Sequence, residues 1–500
     1  MTKRKLAIIA LWIGLWQISS MVSKDKIFFA GPSDVIASLA QQCLKADFWM
    51  SIAFSMAKIG AGFLGAFLLG VAIGILAFRF SIIKDFLSPL MSVMKSVPVA
   101  SFVILALIWI GSKNLSIFIS FLIVFPIIYT ATIGGLNSTD PKLLEMAEVF
   151  NMRKWYKAVS IYKPALMPYL TSSCRVAFGM AWKSGVAAEV IGVPDLSIGE
   201  RLYMSKIYLD TAGLFAWTLV IVLLSILSEK LFLALLKVPD RAYPLDLVAN
   251  FRNKGVGAEH STNPGEYPTS LGSADSRRTV GEGLRALPQE HLSDLDAAGS
   301  KRTTCARPKR LLNISSVNKS YGDHLVLKDY SITLASDGIY CLMGPSGRGK
   351  TTLLNIISGL LRPDGGDVSD FKGLSVSMVF QEDRLQEALS PIKNVQIACR
   401  NIKSKEVIKK ELSSILPEDC LERPARELSG GMKRRTAICR AVMCRSDILI
   451  MDEPFTGLDR ESKLKTIEYI KKNRKGRLLI VATHNEEDLE LLGAKRLQLD

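Results

Sequence analysis

Eight residues in the C-terminal half, Gly344-Pro345-Ser346-Gly347-Arg348-Gly349-Lys350-Thr351, carry the spacing G-x-x-x-x-G-K-T. The apolar run Ile339-Tyr340-Cys341-Leu342-Met343 precedes them and a helix-like stretch from Thr352 to Ile357 follows. Strand, glycine loop and helix in that order make a phosphate cradle, because glycines let backbone N–H groups close round an anion at a helix N-terminus. Lys350 can reach the β- and γ-phosphates of a nucleotide, and the Thr351 hydroxyl can ligate Mg²⁺. The residues Gly344 to Thr352 are therefore the first candidate nucleotide-binding set.

Further groups suited to phosphate chemistry follow in order. Ile448-Leu449-Ile450-Met451 is an apolar strand ending in Asp452 and Glu453. Asp452 is placed to hold Mg²⁺ and Glu453 to polarise an attacking water. His484 ends a second apolar strand, Leu478 to Thr483, at the carboxyl edge where ligands bind in parallel sheets. Gln381, after Ser377-Met378-Val379-Phe380, can reach both metal and water, and Tyr321, about twenty residues before the first glycine, can stack on an adenine. Alone, a histidine is most often structural and a tyrosine most often a surface residue. Their joint order argues for a site. Leu428-Ser429-Gly430-Gly431-Met432 then opens an Arg-rich helix, a second anion-binding end. If the cradle and this serine–glycine loop lie on opposite faces, a competent site needs two copies.

Five hundred residues exceed one ordinary domain. Hydrophobic residues make up 49% of the chain, but they cluster between 6 and 236, whereas the last 190 or so residues read as soluble α/β. The net charge of +16 argues for nucleic acid less well than for membrane flanks, since much of the excess sits beside apolar segments. Eight cysteines are scattered without a C-x-x-C pair, which points away from a disulfide framework or a zinc site.

Candidate membrane helices cover 6–23, 51–78, 88–111, 115–135, 169–192 and 212–236. Each approaches the length needed to cross a hydrocarbon core of about 30 Å. The first follows Lys3-Arg4-Lys5 without a convincing cleavage site, and the third is interrupted by Pro89 and Pro98. About six spans put both termini on one side, and the basic residues at 3–5, 79–84, 142–163 and 237–241 place that side in the cytosol. Gly60, Gly62, Gly65, Gly70 and Gly74 in the second span read as close helix packing. Lys183 and Glu189 in the fifth lie six residues apart, on different faces. They belong either to a translocation path or to a subunit interface.

Between the fourth and fifth spans, Glu145-Met146-Ala147, Asn151, Pro164 and Pro168 predict two short amphipathic helices with a left-handed turn at Asn151. Such a helix pair over 142–163 could dock on a soluble partner. From 251 to 310 glycine, serine, proline and mixed charges dominate, too polar to fold alone. A flexible tether of that length spans about 45 Å. The expected organisation is a membrane domain at 1–245, a linker at 246–310 and an ATP-binding domain at 311–500.

Residues 311–500 resemble the ATPase subunit of ATP-binding cassette (ABC) transporters. In that resemblance Gly344–Thr351 is Walker A, Gln381 the Q-loop, Leu428–Met432 the signature and Ile448–Asp452 Walker B. Glu453 is the catalytic glutamate, Gly457-Leu458-Asp459 the D-loop and His484 the switch. Met432 stands where glutamine is usual. Residues 1–245 resemble the permease of binding-protein-dependent importers, with Glu145-Met146-Ala147 as the coupling motif and Asn151 where glycine is usual. The nearest subgroup resembles the nitrate, sulfonate and taurine type, through Gly31-Pro32-Ser33-Asp34-Val35, Ala187-Ala188-Glu189 and Val379–Leu385. Lys183 departs from the apolar residue usual there.

The resemblance implies an all-α polytopic membrane domain joined to an α/β P-loop ATPase. It implies a homodimer in the cytoplasmic membrane with ATP and Mg²⁺ as ligands. Each composite site would take Walker A from one chain and Ser429, Gly430, Gly431 and Asp459 from the other. Catalysis would rest on Glu453, His484 and Gln381, and the metal on Thr351, Gln381 and Asp452. An extracytoplasmic binding protein would deliver a small anion or organic molecule. An exporter, a non-transport ABC machine acting on an envelope partner and a soluble ATPase with a membrane anchor are the alternatives.

Overall fold

The computed structural model describes residues 3–22, 30–237, 310–345, 347–399 and 404–499. The expected linker falls outside these residues except for its last position, Arg310, and Ser346 of the glycine loop also lies outside them. Residues 1–236 and 309–500 form one compact unit.

The membrane half is helical. Its elements are α1 (Lys3–Val22), α2 (Pro32–Cys43), α3 (Ala46–Arg79), α4 (Ser81–Ser96), α5 (Val99–Ile110) and α6 (Ser112–Asn137). Then come α7 (Pro141–Val149), α8 (Lys154–Lys157), α9 (Lys163–Gly192), α10 (Ile198–Ile207) and α11 (Thr211–Lys237). Among the described residues, α3, α6 and α11 are long and apolar enough to cross a membrane. The 34 residues of α3 reach about 50 Å at 1.5 Å per residue. With 30 residues, α9 is also long enough, but Arg175, Lys183 and Glu189 lower its apolarity.

The expected third span is not one helix. It breaks into α4 and α5, which meet at 107°. The cause is local: Pro98 forces Val97 into an extended conformation (φ −69°, ψ 127°), and the chain restarts as a helix with Pro98 as its cap. Taken together, the bent pair counts as a fourth crossing or a re-entrant loop.

The glycines of α3 act at the backbone. A Cβ at Gly62 would sit 2.4 Å from the Ile117 carbonyl of α6, one at Gly74 2.7 Å from the Thr132 side chain, and one at Gly70 3.1 Å from Ile128. Gly60 faces open space. Without side chains at the first three positions, α3 and α6 approach to backbone contact, as small residues allow in lipid.

The second half is α/β. A parallel sheet runs in the order β5 (Val376–Val379), β6 (Ile448–Asp452), β7 (Leu478–Ala482), β3 (Ile339–Met343) and β8 (Lys495–Gln498). Strands β6 and β7 are buried at every position, as continuous apolar runs become when helices cover both faces. A smaller antiparallel sheet pairs β2 (His324–Ala335) with β1 (Leu311–Tyr321) and β1 with β4 (Gly365–Asp367). The helices that matter below are α12 (Lys350–Ile357), α13 (Pro391–Ala398), α15 (Gly430–Met443), α16 (Arg460–Asn473) and α17 (Glu486–Leu492); α14 is Lys405–Ser413.

Candidate active site and its contact with the membrane half

The glycine loop joins β3 to α12. Gly347 and Gly349 have φ of 84° and 89°, conformations that a side chain disfavours. A Cβ on Gly349 would also lie 2.8 Å from Val326, so the loop is pressed against β2. That contact brings the β1–β2 hairpin beside the loop, with Tyr321 at its tip, half exposed and 5.9 Å from the Lys319 ammonium. Arg348 belongs to the same turn and is exposed; Pro345 lends its carbonyl.

Lys350 is buried, and its ammonium donates to the Gly344 carbonyl (2.5 Å) and the Pro345 carbonyl (2.9 Å). Thr351 Oγ1 donates to Asp452 Oδ2 at 2.7 Å, and Thr352 follows in the first turn of α12. Burial pushes the Asp452 carboxyl above its ordinary value, with Glu453 adding repulsion and the Thr351 hydroxyl and Lys350 opposing the shift. A buried acid at the edge of a hydroxyl and an ammonium is an incomplete cation site. Thr351 and Asp452 are hard oxygen donors, which suits Mg²⁺, an ion that usually takes its remaining ligands from water and phosphate. No cluster of three or more His, Cys, Asp or Glu that could hold a metal by itself occurs among the described residues.

Glu453 leaves β6 with φ 50°, a strained value for a non-glycine residue. Its backbone N–H is held by the Ala482 carbonyl (2.9 Å), which ties the turn to β7. From β7, His484 brings Nδ1 to 3.1 Å from Oε1 and 2.9 Å from Oε2 of Glu453. The histidine is two-thirds exposed and the glutamate mostly covered, so the pair stands at the surface where a partner or nucleotide would approach. Sequence order thus brought Lys350, Thr351, Asp452, Glu453 and His484 to one sheet edge.

Four expected site residues stand differently. Gln381 is exposed, and its side chain makes no hydrogen bond to Thr351 or Asp452. Ser429 caps α15, accepting from the Met432 N–H at 3.3 Å, and Gly431 lies beside Gly457 and Leu458. Asp459 caps α16 through the Ser462 N–H (2.9 Å), which holds its carboxyl below the ordinary value. Among the described residues no hydrogen bond or ion pair joins Ser429, Gly430, Gly431 or Asp459 to the Gly344–Thr352 loop within one chain.

A network that the sequence did not reveal surrounds Gln381. Arg434 of α15 donates to the Phe380 carbonyl (2.7 Å) and to the Gln381 carbonyl, and its Nε lies 3.2 Å from Asp383. Arg440, fully buried, donates to the carbonyls of Arg384 (2.7 Å) and Asp383 (3.0 Å). Arg384 is held at φ 45°. Its guanidinium stacks 3.8 Å over Phe380 and donates to Glu145 Oε2 at 2.6 Å. The only sequence signal was the run of arginines after Met432, whose targets lie more than fifty residues away in the chain.

Glu145 belongs to α7, so this network reaches the membrane half. Lys142 pairs with Glu382 at 2.6 Å, and Gln386 donates to the Ser160 carbonyl at 2.8 Å. Met146, Val149 and Phe150 are buried in the same apolar cluster as β3, β5, β6 and β7. Asn151 ends α7 at φ 49°, the left-handed turn read from the sequence. The second helix of the expected pair is shorter than anticipated. It is the four-residue α8, continued by a π-helical turn (Ala158–Tyr162) straight into α9. The chain after α7 is therefore helical without a break from Lys154 into α9.

In α9, Glu189 and Lys183 part ways. Glu189 is 1% exposed and accepts from Ser55 Oγ (2.7 Å) and the Gly199 N–H (3.2 Å). Lys183 is exposed, in a stripe with Ser172, Val176, Met180 and Ala187 at helical spacing. Glu189 is therefore a packing residue of its own chain, and Lys183 faces outward from it.

Comparison with known proteins agrees with this architecture. The model of the binding-protein-dependent transport system inner membrane component matches residues 66–238, and the ABC transporter model matches 327–456. The taurine import ATP-binding protein TauB of Pelagibacter ubique is 35% identical over 182 residues, 34% of this chain and 69% of that protein. The aliphatic sulfonates import ATP-binding protein SsuB 2 of Burkholderia cenocepacia is 34% identical over 217 residues, 41% of this chain and 79% of that protein. The chain belongs to the ABC transporter family. It unites on one polypeptide a permease domain with several apolar helices and an ATP-hydrolysing transport ATPase. The Nod factor export ATP-binding protein I of Cupriavidus pinatubonensis is 34% identical over 212 residues, and the chain spans 65% of it, just under two thirds of that relative's length. Each of these relatives is named as an ATP-binding protein, and each match covers at most 41% of this chain.

Proposed function

We propose that the chain is one half of an ATP-driven importer of a small anion, working as a homodimer in the cytoplasmic membrane with both termini and the ATPase in the cytosol. An extracytoplasmic binding protein delivers the solute. The observation that carries this reading is the seating of α7 in the ATPase core, with Glu145 on Arg384. A docked pair of this kind passes ATP-driven movement to the membrane helices.

The separation of Ser429–Gly431 from the phosphate loop within one chain supports the dimer. Each nucleotide lies between Gly344–Thr352 of one copy and Ser429, Gly430, Gly431 and Asp459 of the other, with Tyr321 against its base. Lys350 exchanges its bonds to the Gly344 and Pro345 carbonyls for the phosphates. Thr351 and Asp452, with Gln381 brought in from its exposed position, would hold Mg²⁺, which when bound would neutralise charge on the phosphate oxygens. Glu453 takes a proton from the attacking water onto its carboxylate, and His484 Nδ1, already 2.9 Å away, holds that carboxylate in place.

The anionic class rests on Lys183, a cation exposed on the α9 stripe in a segment where charge is costly. The names of the taurine and sulfonate import relatives agree with it. The deciding experiment reconstitutes the full chain in vesicles and measures ATP hydrolysis with candidate extracytoplasmic binding proteins of the sulfonate type, loaded and empty. Stimulation by a loaded binding protein is expected, and Lys183→Ala abolishes the accompanying anion uptake. ATP-dependent movement out of the cytosolic side without any binding protein would establish export instead.

A further inference from the structure

Cys399 and Cys444 lie 45 residues apart in sequence, yet their sulfurs are 3.1 Å apart. Each caps the C-terminal end of a helix, Cys399 that of α13 and Cys444 that of α15. Both thiols line a cavity of about 400 Å³ whose other walls include Val149, Phe150 and Asn151 of the membrane half and Arg445. Asn151 and Arg445 are exposed at its rim, so small solutes can enter.

A buried cation neighbours the pair. Arg440 lies one helical turn before Cys444, fully buried, 5.2 Å from the Phe150 ring. Burial brings its guanidinium down to about 10, and Cys444, Asp383 and Cys399 pull it back up. A cation thus lies within electrostatic reach of both sulfurs. Arg440 Nε has no hydrogen-bond partner among the described residues, so the cation has capacity left for an anionic sulfur.

We propose that Cys399 and Cys444 form a reversible disulfide, driven by a low-molecular-weight disulfide, and that this bond controls ATP turnover through the seat of Phe150. One protein thiolate attacks a sulfur of the small disulfide and expels one small thiol. The second protein thiolate attacks the resulting mixed disulfide and expels the other. The two protein thiols give up two electrons and two protons, and the oxidant becomes two thiols. The sulfurs need to close by about 1 Å to reach bonding distance. The new bond ties the end of α15, whose arginines hold the 380–384 segment, to the end of α13, whose Asn394 holds Gln386. It thereby fixes one wall of the seat where the membrane half docks. This consequence rests on the coupling role proposed above for α7; the thiol chemistry does not.

The test treats the full chain in detergent or nanodiscs with 2-hydroxyethyl disulfide, then alkylates, digests and maps cysteines by mass. A Cys399–Cys444 linked peptide that disappears with dithiothreitol is expected. ATP hydrolysis without any binding protein should fall at least about twofold on oxidation and recover on reduction. The variants Cys399→Ser and Cys444→Ser should each be insensitive to the oxidant. Full alkylation of both thiols after treatment, or a linked peptide with unchanged hydrolysis, overturns the proposal. Because neither readout requires transport, a failure to import any anion leaves this test standing on its own.

Discussion

Truncating Phe150 should undock the two halves without damaging either. The ring is 5% exposed, packed in the ATPase core, and faces the buried Arg440 guanidinium at 5.2 Å. Loss of a buried phenylalanine costs about 3–5 kcal/mol, which includes the cavity left behind. Part of this is the cation–ring contact, itself about 1–2 kcal/mol when desolvated. At about 1.4 kcal/mol per tenfold, Phe150→Ala should lower the docking equilibrium by about two to three and a half orders of magnitude. The rim ion pairs cannot compensate: Lys142 and Glu382 are both about half exposed, a class worth about 0–1 kcal/mol. Because those two side chains lie 2.6 Å apart, a zero-length carbodiimide cross-link between them reports the docked fraction. The variant should lose most of that cross-link and all ATP-coupled transport while hydrolysing ATP within a few-fold of the parent. An unchanged cross-link yield together with unchanged transport per ATP would refute the reasoning.

Glu453→Gln should bind ATP and lose turnover by about 10²- to 10⁴-fold, the scale of a general base; hydrolysis at the parental rate removes Glu453 from that role. Asp452 has a raised carboxyl value, so its ionisation weakens the nucleotide-free fold as pH rises through that value. Asp452→Asn should therefore raise the melting temperature of the nucleotide-free protein, by more at pH 8 than at pH 5, and abolish the stabilisation given by Mg²⁺ and ATP. Gly62→Ala meets the Ile117 carbonyl at 2.4 Å and should separate α3 from α6, seen as lost folded yield in membranes, whereas Gly60→Ala, which faces open space, should be silent.

The reach of the sequence was greatest where chemistry is local. The phosphate loop, the acids ending β6 and the histidine after β7 were legible because each depends on neighbours within a few residues. The left-handed Asn151 was legible for the same reason. Pro98 announced a disturbance in the third span, but its spacing did not give the 107° bend that the structure shows there. The fifth helix could not be resolved by spacing: only packing buried Glu189 against Ser55 and Gly199 and left Lys183 outside.

What the sequence determined by itself was that a nucleotide is bound by a soluble α/β half and that an apolar helical half accompanies it. Periodicity and glycine spacing act over one strand or one turn, and they survive without knowledge of the fold. Tertiary structure alone decided how the halves talk. Arg434 and Arg440 find carbonyls more than fifty residues upstream, and Arg384 finds a glutamate 239 residues away. Cys399 and Cys444 meet only because two helices end at the same place. Such contacts carry no local signature, since a buried guanidinium or thiol is specified by the partners that folding brings to it.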